Sequence, residues 1–270
     1  MKILLTNDDG IHAKGLEALY DAMVGLGDIY VVAPSVEMSA TAHAITMTQP
    51  LRVTEVNRNG SVWGFGVNGT PSDAAKLALN ALLPEHPDLV ISGINQGFNT
   101  GMAAIYSGTV AAASEGAFLG IPSMAVSLAS KHFDDFRPAA QMTRILAVHL
   151  LKTAIHLPKF TLLNVNVPPI PLEVMKGFRL MRQGMAGFRD VYERRLDPRG
   201  KAYYWLDGSG FRAEEAEDSD DYGVKAGYVT VTPLRYDLTD YEFLEAADSW
   251  LTDINADIAS LPPSRGLGLQ

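Results

Sequence analysis

Residues 3–33, "ILLTNDDGIHAKGLEALYDAMVGLGDIYVVA", hold a complete strand, turn, helix and second strand. Ile3–Leu5 is a short continuous apolar run, the pattern of a strand covered on both faces. Leu16, Leu19, Tyr20 and Met23 then recur at helical spacing, and Ile29–Ala33 is again uniformly apolar. Between the first strand and its helix stand two adjacent carboxylates, Asp8 and Asp9. They repel each other, and a structural turn rarely needs both.

The same alternation continues. Strand-like pieces are predicted at Ala44–Met47 and Leu51–Val56, and "SVWGFGV" (61–67) alternates large and small residues. In "GTPSDAAKLALNALL" (69–83) Thr70 is the expected N-cap and Pro71 the first helical residue. "PDLVISGIN" (87–95), "PSMAVSLA" (122–129) and "FTLLNVNVP" (160–168) read as strands. "SGTVAAASEGAF" (107–118) reads as a helix of small residues suited to close packing, and 136–153 as a longer helix. Strand alternating with helix predicts an α/β protein with a mostly parallel sheet between helices. Beyond about Pro168 the pattern changes. "VYERRLDPRGKAYYWLDG" (191–208) reads as two strands around a turn at Asp197–Gly200. "GYVTVTPL" (227–234) is an alternating strand, 242–260 a terminal helix, and the acidic "RAEEAEDSDDYG" (212–223) a solvated loop.

The chain has 270 residues, a net charge of −9 and no cysteine. The charge argues against a nucleic-acid groove. The missing cysteines exclude disulfides, zinc-thiolate sites and thiol nucleophiles. No apolar run reads as a signal peptide or membrane span, so a cytoplasmic protein is expected.

In open parallel sheets ligands bind beyond the carboxyl ends of the strands. Loops of that kind carry Asp8 and Asp9 after the first strand, Ser39 after the second, and Asn95 after "DLVISGI". All four are hard oxygen donors, a set suited to Mg²⁺ or Mn²⁺. A divalent ion would relieve the Asp8–Asp9 repulsion; without it one carboxyl should have a raised pKa. Asn-Asp-Asp-Gly is also good turn chemistry, and Ser39 or Asn95 alone is an ordinary loop residue. "SGINQGFNTGMAAIYSGTVAAASEG" (92–116) adds Asn99 among glycines, and Ser107, Gly108 and Thr109 open a helix whose N-terminal amides suit a phosphate. "GFGVNG" (64–69) matches G-x-G-x-x-G, but its first glycines sit inside a strand, so it is a poor dinucleotide fingerprint. His12 and His43 flank the candidate residues without metal-ligand spacing.

Together "ILLTNDDGIHAKG", "VVAPSVEMSA", "SGINQGFNTG", "YSGTVAAASEG", "DPRGKAYYW" and "GYVTVTPLRYDLT" resemble the SurE (survival protein E) 5'/3'-nucleotidase family, in order and over nearly the whole chain. The resemblance implies a metal-dependent phosphatase of nucleoside monophosphates, with 3'-nucleotides and short polyphosphate as further substrates of some relatives. It implies one divalent cation per subunit, Mg²⁺ or Mn²⁺, held by Asp8, Asp9, Ser39 and Asn95. Asn99, Ser107, Gly108 and Thr109 would contact phosphate, with Asp8, Asp9 and Asn99 carrying catalysis. The implied fold is a Rossmann-like three-layer α/β/α core over 1–168. A C-terminal part, 169–270, would carry an oligomerisation β-hairpin at about 190–207, a further strand and a terminal helix, and form homodimers or homotetramers. This sequence departs from the family around the serine: Met38 and Ala40 stand where a basic residue and a glycine are usual. A nucleotide-binding sensor without turnover is the alternative function. Within the enzyme class, a covalent aspartyl-phosphate on Asp8 or Asp9 is the alternative chemistry.

Overall fold

The computed structural model of this chain describes residues 1–152, 157–185, 187–188, 191–207, 211–212 and 216–259. Its elements run as follows. Lys2–Thr6 forms β1, Lys14–Met23 α1 and Asp28–Pro34 β2. Val53–Arg58 and Ser61–Val67 form β3 and β4; Pro71–Leu77 is α2, prolonged by a π-helical turn over Ala78–Leu82. Leu89–Gln96 is β5, Ala103–Tyr106 α3, Gly108–Phe118 α4, Ser123–Leu128 β6, Arg137–Lys152 α5 and Thr161–Val167 β7. Then come Phe178–Leu180 (β8), Gly187–Phe188 (β9), Val191–Leu196 (β10), Ala202–Asp207 (β11) and Phe211–Arg212 (β12). Asp220–Lys225 (α6), Val229–Arg235 (β13), Tyr241–Ala246 (α7) and Asp248–Ala259 (α8) complete the chain.

The chain makes two compact units, Met1–Arg235 and Tyr236–Gln270. The first is built on a nine-stranded sheet of order β3-β4-β2-β1-β5-β6-β7-β13-β8. From β4 through β7 neighbouring strands are parallel; β3 joins β4, and β13 joins β7, antiparallel. The stretch after residue 168 therefore supplies β8 and β13 to the same sheet. Burial on both faces explains the apolar strands. Leu4, Val32, Val67 and Val90 pack against Ala74, Ala78 and Leu79 of α2 and its π turn. The intervening Ile3, Leu5, Val31 and Ile91 pack on the other face against Leu16, Leu19 and Met23 of α1 and Ala139 of α5. This is the expected three-layer α/β fold.

Local signals account for the helix starts. Thr70 caps α2: its Oγ1 accepts from Asp73 N at 3.1 Å while the Asp73 carboxylate accepts from Thr70 N at 2.9 Å, a reciprocal capping box. Ser107 caps α4, accepting from Val110 N. Its small residues let α4 lie against the sheet: a Cβ on Gly116 would stand 2.7 Å from Val90 Cγ2. Gly64 and Gly66 lie inside β4, as their strand alternation implied.

Three sequence expectations change. Ala44–Met47 is loop, not strand; its backbone bonds go to the Asp73 carboxylate and the Thr70 hydroxyl instead of to a ladder. The segment predicted as one terminal helix is two, α7 and α8, separated at Ala247; Ser260 and the tail lie outside the described residues, as does Thr153. The acidic run is not simply a solvated loop, because Ser219, Asp220 and Asp221 are buried at the start of α6. The short helix α3 was not foreseen. The hairpin around Asp197–Gly200 is present as β10 and β11, with Tyr192, Tyr204 and Trp205 exposed; residues 189–190 lie outside the described residues.

Candidate active site

Beyond the carboxyl end of β1 the chain turns through Asn7–Gly10. The buried Asn7 side chain shapes this turn, donating to Gly10 O at 2.9 Å and accepting from Gly10 N at 3.2 Å. Gly10 has φ +98°, and a Cβ there would meet the Val36 backbone at 3.1 Å. Only glycine lets the loops after β1 and β2 approach so closely. Met38 N, on the second of these loops, donates to Asp8 O at 2.8 Å.

Asp8 is buried, and its Oδ1 accepts from the Thr109 hydroxyl at 2.6 Å. Gly108 lies directly against it: a Cβ at 108 would stand 2.9 Å from Asp8 Cβ and 3.1 Å from its Oδ2. The first turn of α4 is thus fitted to the Asp8 carboxylate. Asp9 is more open, and its Oδ2 accepts from Gln96 N at 3.2 Å, which joins it to the end of β5. Asn95 stands just before, where the pairing of β5 with β6 shifts register after Ser92. Such a bulge re-aims the side chains that follow it. Asn95 Nδ2 donates to Gly97 O, leaving the carboxamide oxygen on the other side. The Ser39 hydroxyl donates to Glu37 at 2.7 Å.

The electrostatics follow from this packing. Burial pushes the Asp8 carboxyl up, more than the Thr109 bonds offset. Asp9 is pushed up to about 6, by burial first and by the neighbouring Asp8 second. Glu37 adds a smaller push to both. Among the described residues no cationic side chain pairs with either carboxylate, and no cluster of three or more His, Cys, Asp or Glu forms that could hold a metal. An ion at this place would need neutral oxygens beside the two carboxylates.

The structure thus connects Asp8, Asp9, Gly108 and Thr109 directly, and brings in Asn95 and Ser39 through their neighbours Gln96 and Met38. Asn99 is held differently. Its N–H donates to Asn166 Oδ1 and its carbonyl accepts from Asn164 Nδ2, both at 2.8 Å, while its own Nδ2 donates to Ser127 Oγ. The Ser107 hydroxyl is occupied as the α4 cap. His43 faces Glu115, away from the carboxylate pair, and His12 is exposed.

Several residues that shape this site were not singled out beforehand. Asn164 and Asn166 alternate within the fully buried β7, and polar residues at i and i+2 of such a strand were a usable signal. Asp220 is fully buried and accepts from Gly101 N, Gly184 N and Asp221 N, while Gln183 Nε2 donates to Gly101 O. The glycine-rich loop is thereby clamped from residues more than eighty positions downstream. Nothing local in the sequence announces such a link.

An open, mostly parallel sheet with oxygen-bearing loops gathered at the carboxyl ends of β1, β2 and β5 defines a Rossmann-like α/β protein with a candidate site at its strand ends. Within that class, residues 3–190 match the family described as Survival protein SurE, and the chain belongs to this family. It is 46% identical over 252 residues to the 5'-nucleotidase SurE of Heliobacterium modesticaldum, covering 93% of this chain and 92% of that protein. It is 49% identical over 255 residues to the 5'-nucleotidase SurE of a Synechococcus strain, covering 93% and 97%. The crystal structure of the SurE protein from Aquifex aeolicus superposes with a TM-score of 0.81 at 38% identity, over 94% of this chain and all of that one.

Proposed function

We propose that this chain is a metal-dependent phosphomonoesterase that hydrolyses nucleoside 5'-monophosphates to nucleoside and phosphate. The observation that carries the reading is the buried Asp8 carboxylate, set beside Asp9 with no cationic partner among the described residues and seated against the first turn of α4. Two adjacent carboxyls with raised pKa are costly unless a cation joins them. The relatives named 5'-nucleotidase support the substrate class.

The donor set fits a hard divalent ion. Asp8 and Asp9 would hold Mg²⁺ or Mn²⁺ together with the oxygens of Ser39 and Asn95, one ion per subunit. Bound there, the ion supplies Lewis-acid charge to the phosphoryl oxygens. Thr109 keeps Asp8 oriented through its hydroxyl. Asp9, the more open of the pair, accepts the proton of the attacking water. The amides that open α4, together with Asn99, stabilise charge on the phosphoryl oxygens. The exposed aromatic residues on both faces of the β10–β11 hairpin suit self-association into dimers or tetramers. No helix among the described residues is long and apolar enough to cross a membrane.

The test is phosphate release from a panel of 5'- and 3'-nucleotides and short polyphosphate, with Mg²⁺ or Mn²⁺ and with chelator. Release from 5'-nucleotides that chelator abolishes is expected. Tight binding without release would make the protein a nucleotide sensor. An acyl-phosphate on Asp8 or Asp9 trapped by borohydride reduction during turnover, or retention of configuration at phosphorus, would replace direct water attack by an aspartyl-phosphate route.

A further inference from the structure

Glu115 has no part in the chemistry described so far, yet it is 5% exposed in the middle of α4. One carboxylate oxygen lies 2.8 Å from His43 Nε2 and the other 2.9 Å from Lys76 Nζ. His43 belongs to the loop after β2, the loop that carries Ser39; Lys76 belongs to α2. The His43 ring also stacks on Phe118, one turn further along α4, at 5.5 Å between centroids and 10° between planes. Burial pushes the Glu115 carboxyl up, but its bonds to His43 and Lys76 outweigh this and hold it below the ordinary glutamate value.

The loop needs such a fastening. Ala40 and Ala42 adopt φ of +56° and +49°, in the left-handed region that disfavours any residue with a Cβ. Strained residues persist where surrounding contacts over-determine them, and they gather at functional sites. Besides two bonds inside the segment, Thr41 Oγ1 to Met38 O and Ala44 N to Thr41 O, residues 38–47 are fixed by contacts from outside the loop. Met38 N bonds to Asp8 O and Ala42 N to Tyr106 O, while Thr46 gives both its N–H and its hydroxyl to Asp73. His43 lies between these points, four residues from Ser39.

We infer that Glu115 is a positioning residue for the candidate site: through His43 it holds the strained 38–47 segment, and with it Ser39, against the Asp8 turn. The inference rests on the proposed metal-dependent reading. It also gives α4 two tasks, since the helix that seats Asp8 at its first turn anchors the Ser39 loop two turns later.

Mn²⁺ binding to metal-free protein, read as loss of the free-ion EPR signal, tests this alongside hydrogen exchange of the 38–47 amides. Glu115→Ala and His43→Ala should each weaken Mn²⁺ binding roughly tenfold to a hundredfold, the range seen when a residue supporting a metal ligand is removed. Exchange at 38–47 should quicken, and excess Mn²⁺ should restore kcat. Glu115→Gln keeps an acceptor for His43 and should recover most of the affinity. His43→Ala lies on a surface loop, so the question stays decidable if Glu115→Ala fails to fold. Unchanged Mn²⁺ affinity in folded His43→Ala overturns the inference, whatever the exchange shows. Wild-type protein that binds Mn²⁺ but releases no phosphate from AMP sinks the functional reading instead, and the binding ratio still decides the role of Glu115.

Discussion

Asp9 titrates at about 6 in the metal-free protein because burial and Asp8 both oppose its ionisation. A carboxyl whose folded pKa lies above its unfolded value, about 4, favours the folded state while protonated. That contribution is complete below about pH 4 and disappears as pH rises through about 6. Metal-free protein should therefore lose stability from this group between pH 4 and 6.5, and Asp9→Asn should flatten that part of the curve in thermal unfolding. Mn²⁺ should raise Tm more at pH 7.5 than at pH 5, since below about 6 the ion competes with a proton. Asp8→Asn still accepts from Thr109 but lacks the charge. It should lower kcat/KM by more than the ~10²–10³ expected for loss of one neutral donor, with far-UV circular dichroism unchanged. Ala40→Gly removes a left-handed alanine and should raise stability by about 1 kcal/mol, read as a higher urea midpoint.

Each active-site loop is held by a close approach of two elements, and glycine marks the tightest. In Gly108→Ala the new methyl meets Asp8 Cβ and Pro71 Cγ, both at 2.9 Å. Overpacking of this kind should cost about 1–3 kcal/mol and displace Asp8. Differential scanning calorimetry reads the first effect, and loss of metal-stimulated phosphate release the second. Elements whose signal is their own were legible in the sequence: the apolar runs of β1 and β5, the Thr70-Pro71 start of α2, the small-residue α4 and the Asp197–Gly200 hairpin. Ala44–Met47 misled because apolar alternation cannot reveal that Asp73 will take its backbone bonds. The single terminal helix misled because helical spacing continues through Ala247 while the helix does not. Within the candidate site the carboxylates and the strand-end loops were readable from residue type and place. Of the supports behind them, Asn164 and Asn166 left a readable mark as polar residues two apart in an apolar strand, whereas Glu115 and Asp220 left none, because their partners lie far away along the chain.

Across the first compact unit, the most remote of these supports is Asp220, 119 residues from Gly101. Its removal leaves the Gly101, Gly184 and Asp221 N–H groups without their acceptor. Each buried orphan costs about 1–3 kcal/mol. Asp220→Ala should therefore lower the unfolding free energy by at least about 2 kcal/mol in urea titration, and weaken phosphate release although no candidate site residue has changed. Every such residue from Asp8 to Thr109 precedes the clamp by more than a hundred positions. During synthesis these groups leave the ribosome long before the aspartate that steadies their loop, and before the strand β13 that extends their sheet. A nascent chain halted short of residue 220 already carries every candidate site residue from Asp8 to Thr109. Its glycine-rich loop gains this fastening only once residue 220 has emerged, so residues close in the folded site are made far apart in time.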